Sequence, residues 1–315
     1  MRLSPLFFIL FLLLTGLYAC GGAQPSKNFL QEDDVRYTAD NGFEPIVKEL
    51  DNLYGLRTPE ASMRPWFCNE DSAIRLLLND SVRLAIATRQ LTEKEKILVE
   101  THNLPLVQSR IGYDAFALIV HRENPDTVIN LAEIRGIVSG KITKWEQLEV
   151  GSKRGALSLL FDESGSSTVR YMKDSLNAGR PLSGNVYAQG SNKAVIEAVK
   201  SNPDVIGVVS TDWLRVQQGD TAVLQHFRDL DVRVMLVGKV GQAAKDWQRP
   251  YQYYIATGEY PLVRSVWAIC TDPRTRSTMK SYYFFLKDNI AQRVIARSSQ
   301  LLPRTQVQVR DVSIK

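Results

Sequence analysis

A run of small polar residues in the middle of the chain offers the clearest chemistry. The apolar segment Leu157 to Phe161 predicts a strand, and Ser164-Gly165-Ser166-Ser167-Thr168 lies between it and a segment with helical spacing. The first N–H groups of a helix have no partners within the helix and lie at its positive end, so an anion can bind there. The hydroxyls of Ser166, Ser167 and Thr168 add donors, although such residues also serve as ordinary helix caps.

Asp40-Asn41-Gly42-Phe43 forms a second loop of this kind. It precedes a segment in which apolar residues fall on one helical face, and Gly55 is the predicted stop signal of that helix. Neither loop is specific by itself. Two such loops would be more informative if they met at one cleft, and sequence alone does not establish that they do.

Strand and helix patterns alternate along the chain, which predicts an α/β fold. Phe116 to Val120 is a continuous apolar run typical of a buried strand, and Val82 to Ala87 predicts another strand that ends before Thr88-Arg89. Ser72 to Leu78 predicts a helix, and Asn130 with Glu133 predicts a capping box at the start of the next one. A length of 315 residues predicts two core-forming units.

The first twenty residues predict export. Arg2 precedes the apolar stretch Leu6 to Leu14, and Leu17-Tyr18-Ala19-Cys20 resembles a bacterial lipobox. We therefore expect a signal peptide at residues 1–19, lipidation of Cys20, and a polar tether over residues 20–27. The alternative is an ordinary signal peptide in which the cysteine is incidental.

Composition excludes several classes of function. Hydrophobic residues make up 44% and charged residues 23%, and the net charge of +5 is spread along the chain. This distribution argues against nucleic-acid binding and is compatible with an anionic ligand. No spacing of cysteine and histidine indicates a metal site, and no nucleophile and base pattern indicates an enzyme, so we expect no metal, cofactor or catalysis. Cys68 and Cys270 could pair or remain free thiols.

Several segments resemble the phosphate-binding component of phosphate ABC transporters. Ile137 to Trp145, with the letters IVSGKITKW, resembles that family's most specific signature. Gly112 to Val120 is similar to the family's strand that passes between lobes, and Ser164 to Thr168 resembles its anion loop. Asn202 to Ser210 and Leu301-Leu302-Pro303 resemble two further family segments, so the likeness covers nearly all of the mature chain.

The resemblance implies a type II periplasmic-binding fold of two α/β lobes with the ligand in the cleft between them. Residues 28–118 plus 238–315 would form lobe 1, and residues 119–237 would form lobe 2. The ligand would be phosphate or a similar oxyanion, delivered to an ABC permease by a monomeric, lipid-anchored protein of the bacterial cell envelope. A sensor or surface scavenger without a permease is the alternative. The implied ligand-binding residues are Asn41, Gly42, Phe43, Arg89, Asp162, Gly165, Ser166, Ser167 and Thr168.

Four departures from the family pattern stand out. Cys68-Asn69-Glu70-Asp71 replaces an expected Gly-Ser turn, which brings acids near the predicted anion site, and Asn41-Gly42 replaces the usual Ser and Thr of the first loop. The other two are reciprocal. Asp162 stands where the anion loop usually begins with arginine, and Arg89 stands where many members have aspartate. We therefore expect Arg89 to donate to the ligand, and Asp162 to orient Arg89 and accept the proton that phosphate carries at neutral pH. In the alternative, Arg89 is a surface cation and Asp162 caps a turn. Trp145 is expected to pack in a core.

Overall fold

The computed structural model describes residues 34–151, 155–214, 216–218, 221–223, 227 and 230–304. The predicted signal peptide and the tether with Cys20 lie outside these residues. Within them, no helix combines the length and apolar character that a membrane span needs.

The first part of the chain alternates strands and helices as the sequence predicts. In chain order it contains β1 (Asp34–Asp40), a 3-10 turn (Asn41–Phe43), α1 (Glu44–Arg57), β2 (Ser62–Cys68), α2 (Glu70–Leu78), β3 (Leu84–Ala87), α3 (Glu93–Thr101) and β4 (Val107–His121).

The remainder continues the alternation with shorter strands. In chain order it contains β5 (Val128–Asn130), α4 (Leu131–Val138), β6 (Ser158–Phe161), α5 (Ser167–Tyr171) with a π-helical turn (Met172–Leu176), β7 (Val186–Ala188), α6 (Asn192–Ser201), β8 (Val205–Ser210), a 3-10 turn (Thr211–Trp213), β9 (Val216–Gln218), β10 (Thr221–Val223), β11 (Val232–Val234), β12 (Leu236–Gly238), α7 (Gln252–Ala256), β13 (Val263–Cys270), α8 (Thr278–Phe285), α9 (Asn289–Ser298) and β14 (Leu302–Pro303).

Strand β4 joins two sheets. The strand order is β2-β1-β3-β13-β4-β8-β6-β7, in which β1, β2 and β3 are parallel, as are β6, β7 and β8. The first half of β4 pairs with β13 from Val107 to Ala115, and its second half pairs with β8 from Phe116 to Ile119. This arrangement confirms that the apolar run ending at Val120 lies in a strand shared by the two lobes.

Among the described residues, hydrophobic side chains form four clusters, and the two largest lie one against each sheet. One core packs α1, α8 and α9 against the β1 side, and the other packs α4 and the π-helical turn against the β6 side. Trp145 is fully buried in the second core, which confirms the expected packing role. Ile255, Tyr260 and Leu262 also pack in the second core. The lobe boundaries inferred from the family resemblance stay a prediction.

The capping box predicted at Asn130 is present, whereas the helix end predicted at Gly55 is not. Asn130 accepts from the N–H groups of Ala132 and Glu133, and the Glu133 side chain accepts from the Asn130 N–H, so the capping box is confirmed. The predicted stop at Gly55 is wrong, because α1 continues to Arg57. The helix instead ends before Pro59, whose ring disfavours helical geometry at the preceding residue.

Cys68 and Cys270 are free thiols. Cys68 ends β2 and Cys270 ends β13, and β1 and β3 lie between these strands. Three strand spacings amount to about 14 Å, whereas disulfide Cα atoms lie at most about 7 Å apart. The sheet therefore resolves the alternative that the sequence left open, in favour of unpaired cysteines.

Gly207 in β8 provides a test of the packing around β4. A Cβ there would lie 2.7 Å from Val199 and 2.8 Å from Val195, both on α6, and 3.0 Å from Ile119. We expect Gly207→Ala to lower the free energy of unfolding by about 1–3 kcal/mol through overpacking. Urea denaturation measures the change. Gly184→Ala is the control, because nothing lies within 4 Å of its added methyl group, and equal effects of the two changes would contradict the packing.

Candidate functional site: a buried arginine between two loops

The two predicted loops lie against each other. Nδ2 of Asn41 donates to Oε1 of Glu163 over 2.8 Å, and Nδ2 of Asn69 donates to Oε2 of the same carboxylate over 2.9 Å. The backbone oxygen of Asn41 also accepts from Nε1 of Trp213 over 2.9 Å. The loop before α1 and the loop before α5 therefore border one cleft, which is the convergence that sequence alone could not establish.

Arg264 lies beneath the two loops and is almost completely buried. It faces Asp114 as the paired residue on the neighbouring strand, with Nε and Nη2 lying 2.9 and 2.8 Å from Oδ2 of Asp114. Thr211 donates to the other oxygen of Asp114 over 2.9 Å, and Nη1 of Arg264 donates to Oγ of Ser167. The cation thus connects β13 and β4 with the loop that begins α5.

Aromatic rings and a glycine shape the space around this guanidinium. The centroid of the Phe116 ring lies 4.2 Å from Cζ of Arg264, and that of Phe43 lies 5.0 Å away, so both rings are within range for cation–π attraction. A Cβ on Gly42 would lie 2.7 Å from Nη2 of Arg264 and 2.8 Å from Oδ1 of Asp40. Glycine at position 42 therefore allows the first loop to approach the arginine.

A second arginine links the lobes farther along the cleft. Arg170 on α5 bonds Oε2 of Glu70 through Nε and Oγ1 of Thr88 through Nη2. Oε1 of Glu70 accepts from both the N–H and the hydroxyl of Thr88. Burial alone would raise the pKa of Glu70, but Arg170 and Thr88 outweigh it and hold that pKa below its usual value. Glu70 is therefore an ionised, fully partnered carboxylate.

Ser166, Ser167 and Thr168 are buried. Oγ of Ser166 accepts from the Val169 N–H over 3.2 Å, so Ser166 caps α5, which is the ordinary role that the sequence left open beside anion binding. Gly165 lies close to the first lobe, where an added Cβ would lie 3.1 Å from Oδ1 of Asn69. Hydroxyl and backbone donors are therefore concentrated at the wall of the cleft that belongs to the second loop.

Arg89 and Asp162 have different partners from those that the sequence suggested. Two nitrogens of Arg89 donate to Glu95, over 2.7 and 2.8 Å, and Nη1 also donates to the carbonyl oxygen of Gln90. Oδ2 of Asp162 accepts from Asn192 over 3.3 Å, whereas its Oδ1 is buried without a hydrogen-bond partner. Burial raises the pKa of Asp162 despite nearby Ser166 and Arg264. A ligand-binding role for Arg89 or Asp162 stays a prediction.

Sequence reasoning did not identify the groups at the centre of the cleft. Asp114 and Arg264 each interrupt an apolar strand, and a charged residue inside such a run is the signal that could have identified them. Glu70 was noted only as an acid near the predicted anion site, and Asp40 and Arg170 gave no comparable signal, because Asp40 ends β1 at a turn and Arg170 lies in a helix, where charges are common. Among the described residues, no group of histidine, cysteine and acidic side chains could hold a metal ion.

Removing the Arg264 cation from its buried pair with Asp114 should destabilise the folded protein. We expect Arg264→Met to lower the free energy of unfolding by about 3–5 kcal/mol, because Asp114 would remain buried without its counter-ion. Replacing both residues, with Arg264→Met and Asp114→Leu, should recover part of this loss. Denaturant unfolding of the three variants measures it, and Arg57→Ala is the control because its pair with Asp288 is exposed. A loss below about 1 kcal/mol for Arg264→Met would contradict the central role of the pair.

Comparison with known proteins gives the wider context. A 104-residue stretch is 21% identical to the phosphate-binding protein PstS 2 of Streptococcus pneumoniae, and it covers 33% of this chain and 33% of that protein. The match thus spans about a third of the length of this curated relative. At this coverage, the relative's own ligand does not carry over directly to the whole chain.

Solved structures resemble the chain over most of its length. A Clostridium perfringens protein with bound phosphate, described as a phosphate ABC transporter substrate-binding protein, is 20% identical with a TM-score of 0.70, covering 87% of this chain and 100% of its own. An ABC-type phosphate transport receptor from Vibrio cholerae is also 20% identical, with a TM-score of 0.61 over 84% of this chain and 97% of its own. These likenesses confirm the two-lobed type II periplasmic-binding fold.

The profile of the PBP superfamily domain matches residues 30–289, which include both loops, the buried arginine and the strand shared by the lobes. With this match and the fold in agreement, the chain belongs to the PBP superfamily.

Proposed function

We propose that this protein is an extracytoplasmic solute-binding lipoprotein that captures inorganic phosphate, or a related oxyanion, in the cleft between its lobes. The observation that carries the proposal is the meeting of the Asp40–Phe43 and Ser164–Thr168 loops over Arg264. Ligands of open α/β sheets bind beyond the carboxyl ends of the strands, where β1 and β6 lead into these loops. The ligands named for the structural neighbours support phosphate.

The anion would be held mainly by neutral donors. Ser166, Ser167 and Thr168 supply hydroxyl and backbone N–H groups at the start of α5. Enclosure between the lobes removes water from these groups and from the anion, which strengthens each hydrogen bond between them. Oδ1 of Asp162 is available to accept a proton from the ligand. A carboxylate in that role favours phosphate over sulfate, which has no proton to donate at neutral pH.

Arg89 could donate to the ligand, as the sequence predicted, only if its guanidinium left Glu95. Its guanidinium forms two hydrogen bonds with Glu95, and the Glu95 pKa falls to about 2 because these bonds and those from Thr92 outweigh burial. A pair of this strength competes with the ligand for the arginine. We infer that Arg89 contributes positive potential at the cleft rather than the principal hydrogen bonds.

We propose that the protein delivers its bound anion to an ABC permease. Sensing or scavenging of the anion at the cell surface is the alternative. Both roles would use the same cleft and the same lipid anchor at Cys20. A permease encoded beside this gene favours transport, and a receptor kinase or no neighbour of either kind favours the alternative.

Phosphate should stabilise the folded protein. A ligand that binds only the folded state at a hundredfold excess over its dissociation constant stabilises it by about 2.7 kcal/mol, so the thermal midpoint should rise. Combined Ser166→Ala and Thr168→Ala changes should reduce this rise. Differential scanning calorimetry on protein stripped of phosphate measures both effects. Ser201→Ala is the control, since its exposed hydroxyl bonds only carbonyls of its own helix, and an unchanged wild-type midpoint in millimolar phosphate would refute phosphate binding.

Lipidation can be tested independently of the ligand. We expect the wild-type protein to partition into detergent and to incorporate labelled palmitate, because the lipobox ends at Cys20. Cys20→Ser should abolish both properties, whereas Cys68→Ser should retain them. Absence of label in the wild-type protein would show that the cysteine is incidental.

A further inference from the structure

Asp40 occupies an unusual position at the end of β1. Its side chain is buried, and Oδ1 accepts from the Gly42 N–H over 2.8 Å. Oδ2 has no hydrogen-bond partner. No cationic nitrogen among the described residues lies within ion-pair distance of this carboxyl, so Asp40 combines full burial with one unsatisfied oxygen. Burial of an unpaired, unsatisfied carboxylate is strongly unfavourable.

The groups around Asp40 supply more negative than positive charge. Arg264 attracts the Asp40 carboxylate, whereas Glu70 and Asp162 repel it. Arg264 is already paired with Asp114, and Arg170 is paired with Glu70. The titratable groups on the surrounding elements are Cys68 on β2, Glu70 on α2, Asp114 on β4, Asp162 and Glu163 after β6, Arg170 on α5, Asp212 after β8 and Arg264 on β13.

These surroundings favour the neutral form of Asp40. Burial raises its pKa to about 7, and Glu70 and Asp162 add to the rise while Arg264 and the Ser167 hydroxyl oppose it. An anion entering the cleft would add further negative charge close to this carboxyl. Protonation removes that repulsion and converts the unsatisfied oxygen from an acceptor into a donor.

We propose that Asp40 binds the oxyanion as a neutral carboxylic acid, with the Oδ2 hydroxyl donating to a ligand oxygen, so that the anion enters together with a proton on the protein. This inference rests on the proposed function and adds a binding residue to it. The proton stays on Asp40, and no covalent bond of the ligand changes.

Asp162 complements Asp40. Each carboxyl has one oxygen held by the protein, by the Gly42 N–H for Asp40 and by Asn192 for Asp162, and one buried oxygen without a partner. A neutral Asp40 would donate to one ligand oxygen, and Asp162 offers its Oδ1 to the proton that phosphate carries at neutral pH. The two aspartates together therefore match a partly protonated oxyanion.

The test compares wild type with Asp40→Asn, whose amide is a permanently neutral donor. Isothermal titration calorimetry with inorganic phosphate gives both dissociation constants from about pH 6 to about pH 8.5, and their ratio cancels the titration of phosphate itself. If binding requires protonated Asp40, the wild-type dissociation constant divided by that of Asp40→Asn is constant below about pH 7. Above it, the ratio rises by about tenfold for each pH unit.

A second measurement needs no ligand. The pKa of Asp40 is about 7 in the folded protein and about 3.9 in an unfolded chain, so the folded state retains the proton over this interval. The contribution of Asp40 to stability therefore falls as pH rises from about 4 to about 7. Asp40→Asn should remove this fall, which is measured as the difference in urea midpoint between the two proteins across that range.

Asp51→Asn is the matched control. Asp51 is another largely buried aspartate whose pKa burial raises to about 6, but it lies on α1 and accepts a hydrogen bond from Tyr37, which belongs to the core between β1 and that helix. It should alter the pH dependence of stability without altering the pH dependence of phosphate affinity. If the ratio of the two dissociation constants did not change with pH, this inference would be wrong, although the proposed function would stand. Failure of wild type to bind phosphate at any pH would overturn the proposed function and this inference with it.

Discussion

The buried ion pair between Arg264 and Asp114 is the interaction on which the geometry of the cleft depends. The two residues face each other on β13 and β4, the antiparallel strands nearest the junction of the lobes. A buried pair offsets the cost of dehydrating its charges only when the remaining hydrogen-bonding positions are also filled. Thr211 and Ser167 fill two of them, so the 3-10 turn after β8 and the start of α5 are positioned by the same pair.

The pairing of the arginines determines how the cleft can hold an anion. Arg264 is paired with Asp114, Arg170 with Glu70 and Arg89 with Glu95, so each of these cations already has a carboxylate partner. Under the proposed function, attraction for an anion would depend on hydroxyls, on N–H groups at the helix start, on Nη2 of Arg264, which forms no hydrogen bond, and on protonation of the acids that have no cation of their own. Dipolar donors in a dehydrated site can bind an anion strongly, because they are already oriented toward it.

The sequence predicted the elements better than it predicted the partners within the site. The capping box at Asn130 and the placement of the apolar run Phe116 to Val120 in a strand depend on signals only a few residues apart, and the structure confirms them. The partner of Arg89 was missed because Glu95, six residues away, competes with the distant Asp162. Glu95 also belongs to the capping box of α3, which holds its carboxylate near Arg89.

The central pair could not have been found from local patterns. Asp114 and Arg264 are 150 residues apart, and only the register between β4 and β13 makes them neighbours. A charged residue within an apolar strand indicates that a partner exists, but it does not identify that partner. The same reasoning explains why Asp40 was overlooked, since its unusual state follows from Glu70, Asp162 and Arg264, which reach it from three other segments.

Glu163 shows how an acidic residue can belong to an anion cleft without opposing the ligand directly. Its two oxygens accept from the amides of Asn41 and Asn69, so its charge is distributed over neutral donors of the opposite lobe. These bonds cross the cleft and involve protein groups alone. The ligand shifts the balance between open and closed forms only by the contacts that differ between them. Under the proposed function, contacts of this kind hold the lobes together, while the hydroxyls and the two buried aspartates would select the anion.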